Sequence, residues 1–419
     1  MTNYLASLPA NIDIAIIGAG PQALTLVTHL LQKRKTMRDR FWVFDASGRW
    51  MNRWFHQFAA LEIPHLRSPA VHHPHPNPYA LRSFAENRES EFFPPYDLPG
   101  TQLFQEFCQD VIHQWGLPDK LVRADVSSIE PTMVLKRSRF RLELSNGQSV
   151  IARRVVLATG AGRKIVPDWV DKIASAYPKD RLCHAQSVDL GNVQIADEQV
   201  LIIGGGLTSG HLAVGAAARG AKVMLMSRRR LQEKWFDAEP GWLGPKYLKD
   251  FWAEPNWQRR WEMIQEARNG GSMTPKMMFQ LRRLERQGKL RFYPECQMVE
   301  ARWQDNQWQV DCDDGQGYEC QRIWYATGTG FDATVDPLLK NVIDAYPIPI
   351  VKGLPVLDQH LRWSGCELFV MGGLAALQIG PVARNLYGGK MASDRIVPAL
   401  TKPTLAGSIS SAVNRKVFG

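Results

Sequence analysis

Two glycines and an alanine, at positions 18, 20 and 23, could do the first chemistry in this chain: Gly18-Ala19-Gly20-Pro21-Gln22-Ala23. Gly18 permits a tight turn, Gly20 lets backbone approach a pyrophosphate, and small Ala23 lets a helix pack close to the preceding strand. Unpaired helix N–H groups then face the phosphates. The next apolar run, Phe41-Trp42-Val43-Phe44, ends in Asp45, whose carboxylate can accept hydrogen bonds from an adenosine ribose. This pairing of turn and carboxylate predicts a dinucleotide.

A second set reads Gly204-Gly205-Gly206-Leu207-Thr208-Ser209-Gly210, and the strand after it runs into Ser227-Arg228-Arg229-Arg230. Here guanidinium groups stand where the first set has a carboxylate. The planar fork of arginine matches a phosphate, so Arg228 and Arg229 favour the 2'-phosphorylated cofactor NADPH over NADH. A solvated basic turn is the plainer alternative.

The elements that must position these residues are legible in the apolar pattern. Ile12 to Ile17 is a strand and Leu24, Val27, Leu30 and Leu31 mark a helix; Val200 to Ile203 and the helix with Leu212, Val214 and Ala217 repeat the plan. Val155-Val156-Leu157 leads into Ala158-Thr159-Gly160, and Tyr318 to Tyr325 leads into Ala326-Thr327-Gly328, so small residues sit twice where backbone passes a cofactor. Further strands are expected at Leu121–Val126, with Val126 among the cofactor contacts, and at Phe140–Leu144. In the tail, Leu368 to Met371 delivers Gly372-Gly373-Leu374 to a helix expected from about Gly380 to Ile396, offering N–H groups to the carbonyl edge of a flavin. The closing residues, with Gly407 and several serines, read as a frayed end. The result is an α/β fold of two Rossmann-like dinucleotide-binding domains, the second inserted in the first. Residues 1–165 and 326–419 make the first, and 166–325 the second. A Trp-rich helical insertion, 231–288, interrupts the latter, and its tryptophans are expected to form the core of that insertion.

Composition narrows the class. The 419 residues suffice for two ordinary cores, and a net charge of +10 suits anionic ligands without any nucleic-acid module. No basic, apolar leader opens the chain and no segment is long enough to span a bilayer, which points to the cytoplasm. The six cysteines show neither CxxC nor zinc-type spacing, so no metal site is expected and a dithiol-disulfide reductase is disfavoured.

With two dinucleotide folds, each followed by Ala-Thr-Gly, the chain resembles the two-dinucleotide-binding-domain flavoproteins. Within them it is most similar to the NADPH-dependent class B flavin monooxygenases of the N-hydroxylating branch, the lysine and ornithine hydroxylases. Gly48-Arg49-Trp50 stands at their Gly-x-Trp beside the flavin, and His184, in Cys183-His184-Ala185, stands at their His-Ser. Leu61-Glu62-Ile63-Pro64-His65-Leu66-Arg67-Ser68 through Pro78-Tyr79 is similar, without gaps, to their MQxxFLKDLxxxRxP stretch. The resemblance implies FAD in the first site and NADPH in the second. It also implies hydride transfer to the flavin and oxygenation of a nitrogen or sulfur nucleophile through a C4a-hydroperoxide. It maps the flavin-facing glutamine onto Glu62 and the substrate-carboxylate lysine onto Arg67, which suggests a small, carboxylate-bearing substrate. The asparagines that hold the amino-acid head group have no match, and no His-x-x-x-Trp follows from His184.

The flavin supplies the chemistry in such a protein, so no side chain need be an essential nucleophile. Glu62, Arg67 and His184 are the candidates for tuning, substrate holding and cofactor positioning. His65, His72, His73 and His75 crowd one Pro-rich loop, where they could donate to the flavin, pack, or bind a metal. Two rival functions stay open: an NADPH:flavin reductase or oxidase that inserts no oxygen, and a non-catalytic FAD/NADP(H)-binding regulator. Oligomeric state is left open too.

Overall fold

The computed structural model describes residues 8–160 and 162–402. The closing segment read as a frayed end lies outside them. In the first lobe β1 (Asn11–Ile17), β2 (Phe41–Asp45) and β3 (Leu121–Arg123) are parallel neighbours, followed by an antiparallel pair, β4 (Val126–Val134) and β5 (Arg137–Leu144). Next comes β6 (Ser149–Leu157), which changes partner along its length. Ser149 to Ala152 pair antiparallel with β5, and Val155 to Leu157 pair parallel with a strand from the far end of the chain.

Between β6 and that returning strand the chain builds its second sheet. It contains β7 (Leu182–His184), β8 (Gln199–Ile203), β9 (Lys222–Ser227), β10 (Leu290–Pro294) and β11 (Arg322–Tyr325), all parallel, in the spatial order β7-β11-β8-β9-β10. The chain then returns as β12 (Leu368–Val370) to the first sheet, whose parallel order is β3-β2-β1-β6-β12. One doubly wound sheet is therefore inserted in the other. The stretch Tyr318–Tyr325, expected as one strand, is two: Gly317–Cys320 closes a small antiparallel sheet, and Arg322–Tyr325 joins the parallel one.

Both central strands are apolar runs buried on two faces, as parallel strands under helices must be. Helix α1 (Pro21–Lys33) lies against the first sheet and α2 (Leu207–Ala218) against the second. The insertion supplies α3 (Pro245–Ala253), α4 (Trp257–Arg268) and α5 (Pro275–Arg286). Its tryptophans do not make a core of their own. Trp242, Phe251 and Ile264 are part of the first lobe's core, while Met277, Met278 and Leu281 of α5 belong to the second lobe's. The insertion is thus an apolar bridge between lobes. The tail helix, α6 (Leu386–Thr401), starts later than expected, because Gly380 breaks from the short helix Ala376–Ile379 with φ +93° and the chain runs to Asn385 before turning helical again.

Two covalent crossings join the lobes, one after each Ala-Thr-Gly. They pair with each other antiparallel, Arg163 with Gly330 and Lys164 with Thr329.

Candidate dinucleotide sites and the charged cluster between them

The first turn is built by close approach. Gly18 has φ +99°, and a Cβ there would lie 2.7 Å from the Ala158 carbonyl oxygen. Its N–H donates to Phe44 O at 2.8 Å, while Ala158 N–H donates to Ile17 O at 2.9 Å. The second turn repeats this arrangement. A Cβ at Gly204 would lie 2.6 Å from Ala326 O, Gly204 N–H donates to Met226 O at 2.9 Å, and Ala326 N–H to Ile203 O at 2.7 Å. Gly20 and Gly206 are the N-cap residues of α1 and α2, and nothing stands within 4 Å of a Cβ at either. Each helix therefore presents unpaired N–H groups to open space, which is the geometry a pyrophosphate takes. Pro21 and Ala23 occupy the first turn of α1 as expected.

The residues beyond each turn differ as the sequence implies. Asp45 Oδ2 accepts from Ala19 N–H at 3.1 Å, and Oδ1 from the N–H and hydroxyl of Ser47. The carboxylate is thereby held beside the turn with lone pairs to spare for a ribose. Trp50 is buried, its indole N–H donating to Leu117 O at 3.2 Å, and Arg49 is exposed. At the second turn Arg228 is exposed and has no hydrogen bond or ion pair among the described residues. Arg229 reaches only Asn269, at 3.4 Å, and Arg230 pairs with Glu295. Thr208 is exposed at the start of α2.

The tail closes over the first lobe's edge. A Cβ at Gly372 would approach Gly160 Cα at 3.7 Å, and one at Gly373 would strike the Phe331 ring at 2.4 Å. Thr159 and Gly160 are exposed beside this seam. Thr327 holds Ile165 O through its hydroxyl, Gly328 accepts from His184, and Leu374 is buried.

Several candidates are used elsewhere. Gln22 is buried, with its amide N–H groups on Ala383 O and Asn385 O, so it ties α1 to the tail instead of facing a cofactor. Ser209 is fully buried and spends its hydroxyl on Gly204 O and Gly206 O, bracing the turn from behind. Val126 is a core residue. Glu62 ion-pairs with Arg219 at 2.7 Å, near the far end of α2 from the glycine turn; the guanidinium holds its carboxyl below the usual range. Arg67 commits all five N–H groups to Trp235 O, Asp237, Lys234 O, and the carbonyl and hydroxyl of Ser272. No donor is left on Arg67 to hold a substrate carboxylate. His184 is buried, accepts at Nδ1 from Gln186 N–H and donates from Nε2 to Gly328 O at 3.2 Å. Burial lowers its pKa, and as a neutral ring it positions the second Ala-Thr-Gly turn.

The histidine loop does not converge. His65 donates to Leu66 O and lies tilted against the Phe93 ring, His72 meets Ser68 and Tyr387, His73 reaches Pro78 O, and His75 accepts from Asn77 N–H. Instead Cys296 and Cys312, sixteen residues apart, come together with Asp314, their ligand-type atoms within 4.8 Å. Strand pairing makes that contact, so spacing along the chain could not show it.

Sequence reading misses the residues that connect the second turn to the tail. A Cβ at Gly271 would meet Gly206 Cα at 3.4 Å, and the adjacent Ser272 bonds Arg67. Arg67 bonds Asp237 at 2.6 Å, Asp237 meets Arg268 at 3.4 Å, and Arg268 donates to Pro381 O at 2.8 Å in the tail. Burial would raise the Asp237 pKa, but the guanidinium groups of Arg268, Arg67 and Arg384 prevail and lower it. No local motif marks these residues, because the insertion and the tail contribute them separately.

Comparison with known proteins agrees with this geometry. A family model described as FAD-NAD(P)-binding matches residues 15–162. No curated protein matches the chain by sequence. Among solved structures, the ornithine hydroxylase of Pseudomonas aeruginosa superposes with a TM-score of 0.74 at 14% identity, over 93% of this chain and 98% of that one. The FAD-bound cadaverine monooxygenase of the desferrioxamine pathway of Erwinia amylovora gives 0.74 at 16%, over 93% and 94%. The ornithine N-hydroxylase of Kutzneria sp. 744, with reduced FAD, NADP+ and L-ornithine, gives 0.73 at 14%, over 93% and 99%. At these identities the likeness establishes the fold: this chain has an architecture of two dinucleotide-binding domains along nearly its whole length.

Proposed function

We propose that the chain is an FAD- and NADPH-dependent monooxygenase that oxygenates an amine nitrogen, or a sulfur, of a small molecule. The observation that carries the reading is the repeated turn: two helix N-termini, each opened by a glycine pressed on its own Ala-Thr-Gly carbonyl. Three structures it resembles are an ornithine hydroxylase, a cadaverine monooxygenase and an ornithine N-hydroxylase, which supports nitrogen as the acceptor. Residues 1–165 and 326–419 then form the FAD domain and 166–325 the NADPH domain, in a cytoplasmic enzyme.

The residues present fit the cofactors. Gly18, Gly20 and Asp45 would hold the adenosine and pyrophosphate of FAD, with the Gly160 and Gly372-Gly373 backbones at its ring end. Gly204, Gly206, Thr208 and Arg228 would hold NADPH. FAD, when bound and reduced, supplies the activation of dioxygen. The protein supplies the rest. The α1 and α2 N-termini would fix the phosphates, His184 braces Gly328, and Gly373, pressed against Phe331, leaves no room for a side chain there.

The test is rapid mixing of the NADPH-reduced protein with oxygen, followed from the near ultraviolet to the visible, with product analysis for candidate amines. A lasting spectrum that is neither reduced nor oxidised flavin, and an amine that hastens its decay while consuming NADPH one for one with hydroxylated product, supports the reading. Stoichiometric peroxide with every amine and thiol tried replaces it with an NADPH oxidase. Absence of bound flavin and of any reduction replaces it with a binding protein.

A further inference from the structure

Spacing along the chain shows no zinc pattern, but the fold brings thiols and a carboxylate together behind the second turn. The small antiparallel sheet, Met298–Gln304, Gln307–Cys312 and Gly317–Cys320, packs on the face of the second parallel sheet that carries Leu201, Met224 and Met226. Cys296 precedes this small sheet, Cys312 ends its middle strand and Asp314 sits in the turn that follows. Their ligand-type atoms all lie within 4.8 Å of one another, and Met226 Sδ, on β9, is 3.8 Å from Cys312 Sγ.

Backbone bonds hold these donors in place. Gln297 N–H donates to Asp313 Oδ1 and Asp313 N–H to Gln297 O, both at 2.9 Å, so the residues that follow the two cysteines are fastened to each other. Cys296 N–H donates to Ser227 O at 3.2 Å and Cys312 N–H to Gln316 O at 3.0 Å. Asp314 Oδ1 accepts from Gln316 N–H at 2.9 Å, and the carboxylate keeps lone pairs for a further partner. Both cysteines are buried and Asp314 is exposed, so the set meets solvent at its carboxylate. A buried free cysteine ordinarily packs as a small hydrophobe. Here a second thiol and a carboxylate converge on the same point. Tetrahedral zinc, with bonds of about 2.0–2.3 Å, spaces its donors roughly 3.5–3.8 Å apart, so small side-chain rotations of about 1 Å close these three on an ion.

We propose that Cys296, Cys312 and Asp314 bind a zinc ion, with water on the Asp314 side as the fourth ligand. Two sulfurs and one oxygen suit this borderline-soft divalent cation and not the hard, oxygen-seeking Mg2+ or Ca2+. Binding exchanges both thiol protons, which leave to solvent, for two Zn–S bonds, and nothing is oxidised or reduced. The ion's role is structural. Met226 O accepts the Gly204 N–H, the Ser227 hydroxyl donates to Arg229 O at 2.7 Å, and Glu295 pairs with Arg230, so the ion fastens the strand end from which the second turn and its arginines leave. The site stands whether or not the chain is an oxygenase.

The experiment takes the purified full-length protein, reduced, stripped with a chelator and freed of both reagents, and titrates it with Zn2+ against a chromophoric chelator, with Mg2+ as control and Co2+ as spectroscopic probe. One Zn2+ per chain is expected, undisturbed by excess Mg2+. Co2+ should give the intense red-region bands of tetrahedral thiolate coordination, where oxidised flavin is transparent. Cys296→Ser and Cys312→Ser should lose the ion, and Cys183→Ser should keep it. Asp314→Asn retains an acceptor for Gln316 N–H, and so the turn, but should weaken zinc by about tenfold or more. The loaded protein should melt above the stripped one, a difference that vanishes in Cys312→Ser. No uptake, an octahedral Co2+ spectrum, or zinc that survives either cysteine variant, as it would if the histidine-rich loop held it, overturns the proposal. So does a Cys296–Cys312 disulfide that forms on isolation and, once reduced, takes up no ion. Parental affinity in Asp314→Asn overturns it independently, which keeps the test decisive should a cysteine variant fail to fold.

Discussion

The carbonyl oxygen of Ala158 occupies the space that a side chain at Gly18 would need. A Cβ there would stand 2.7 Å from it, on a backbone already at φ +99°. Gly18→Ala must therefore push the first turn away from β6, at a cost of about 1–3 kcal/mol for strained backbone alone. The variant is expected to purify with little or no flavin and to melt earlier than the parent. Full flavin occupancy by absorbance would show that the turn does not hold the cofactor.

Arg228, just past the end of β9, has no hydrogen bond or ion pair among the described residues. A charge-assisted contact to the 2'-phosphate contributes about 1.5–3 kcal/mol, so Arg228→Ala should weaken NADPH by roughly 10- to 100-fold and leave NADH nearly unchanged. Equal losses for both nucleotides, measured by the concentration dependence of flavin reduction, would refute the phosphate assignment.

Arg67 behaves as a clamp. Removing its guanidinium strands the carbonyls of Lys234, Trp235 and Ser272 and one face of Asp237. Arg67→Ala is expected to lower stability by about 2–4 kcal/mol in urea titration, and Arg67→Lys should not restore it, since an ammonium cannot span five acceptors. An Arg67→Ala protein of parental stability but raised KM would return the residue to substrate holding.

Burial pushes His72 and His73 down to about 4, and lowers His184 as well. These rings are neutral in the fold and bind protons in the unfolded chain from about pH 6.5 downward. The unfolded state then gains the protons, so stability contributed by the neutral rings is complete above about pH 7 and falls as pH drops toward 4. For His73, which is buried, the loss is roughly 3 kcal/mol by pH 4. The slope of urea stability between pH 7 and 4 should lessen in His73→Gln if the loop is packed as described; an unchanged slope would argue otherwise.

The thiols divide sharply by exposure. Cys108, Cys296, Cys312, Cys320 and Cys366 are buried, with burial raising each pKa, and Cys183 is partly exposed. Brief treatment of the native protein with iodoacetamide at pH 8 should label Cys183 alone, and all six after unfolding. Early labelling of Cys296 or Cys312 by mass spectrometry would mean that the small antiparallel sheet opens readily.

The turns and their strands are readable in the sequence because they are local: Gly18 to Ala23 and Gly204 to Gly210 carry their geometry within a few residues of chain. The insertion of one lobe in the other is readable from the repeated Ala-Thr-Gly. Roles transferred by likeness to single positions fare differently. Glu62 and Arg67 keep polar chemistry at the expected places, yet each is taken by a partner from another segment, Arg219 in one case and Lys234 to Asp237 with Ser272 in the other. Ser209 and Gln22 likewise turn inward. Such assignments depend on which distant groups the fold brings beside the side chain, and no spacing encodes that.

The paired crossings at Arg163–Gly330 and Lys164–Thr329 make the second lobe a loop whose two ends are already fastened side by side. A two-residue turn from 164 to 329 could rejoin the chain without disturbing the first sheet, as in any hairpin. Covalently, then, the first lobe is one excision away from being a protein of its own. Hydrophobically it is not: Trp242, Phe251 and Ile264 would leave with the excised loop and strip a patch from the remaining core. A gene deletion along that line should yield an insoluble product, and it should become soluble only when residues 240–268, which carry Trp242 and helices α3 and α4, are supplied back on the same chain.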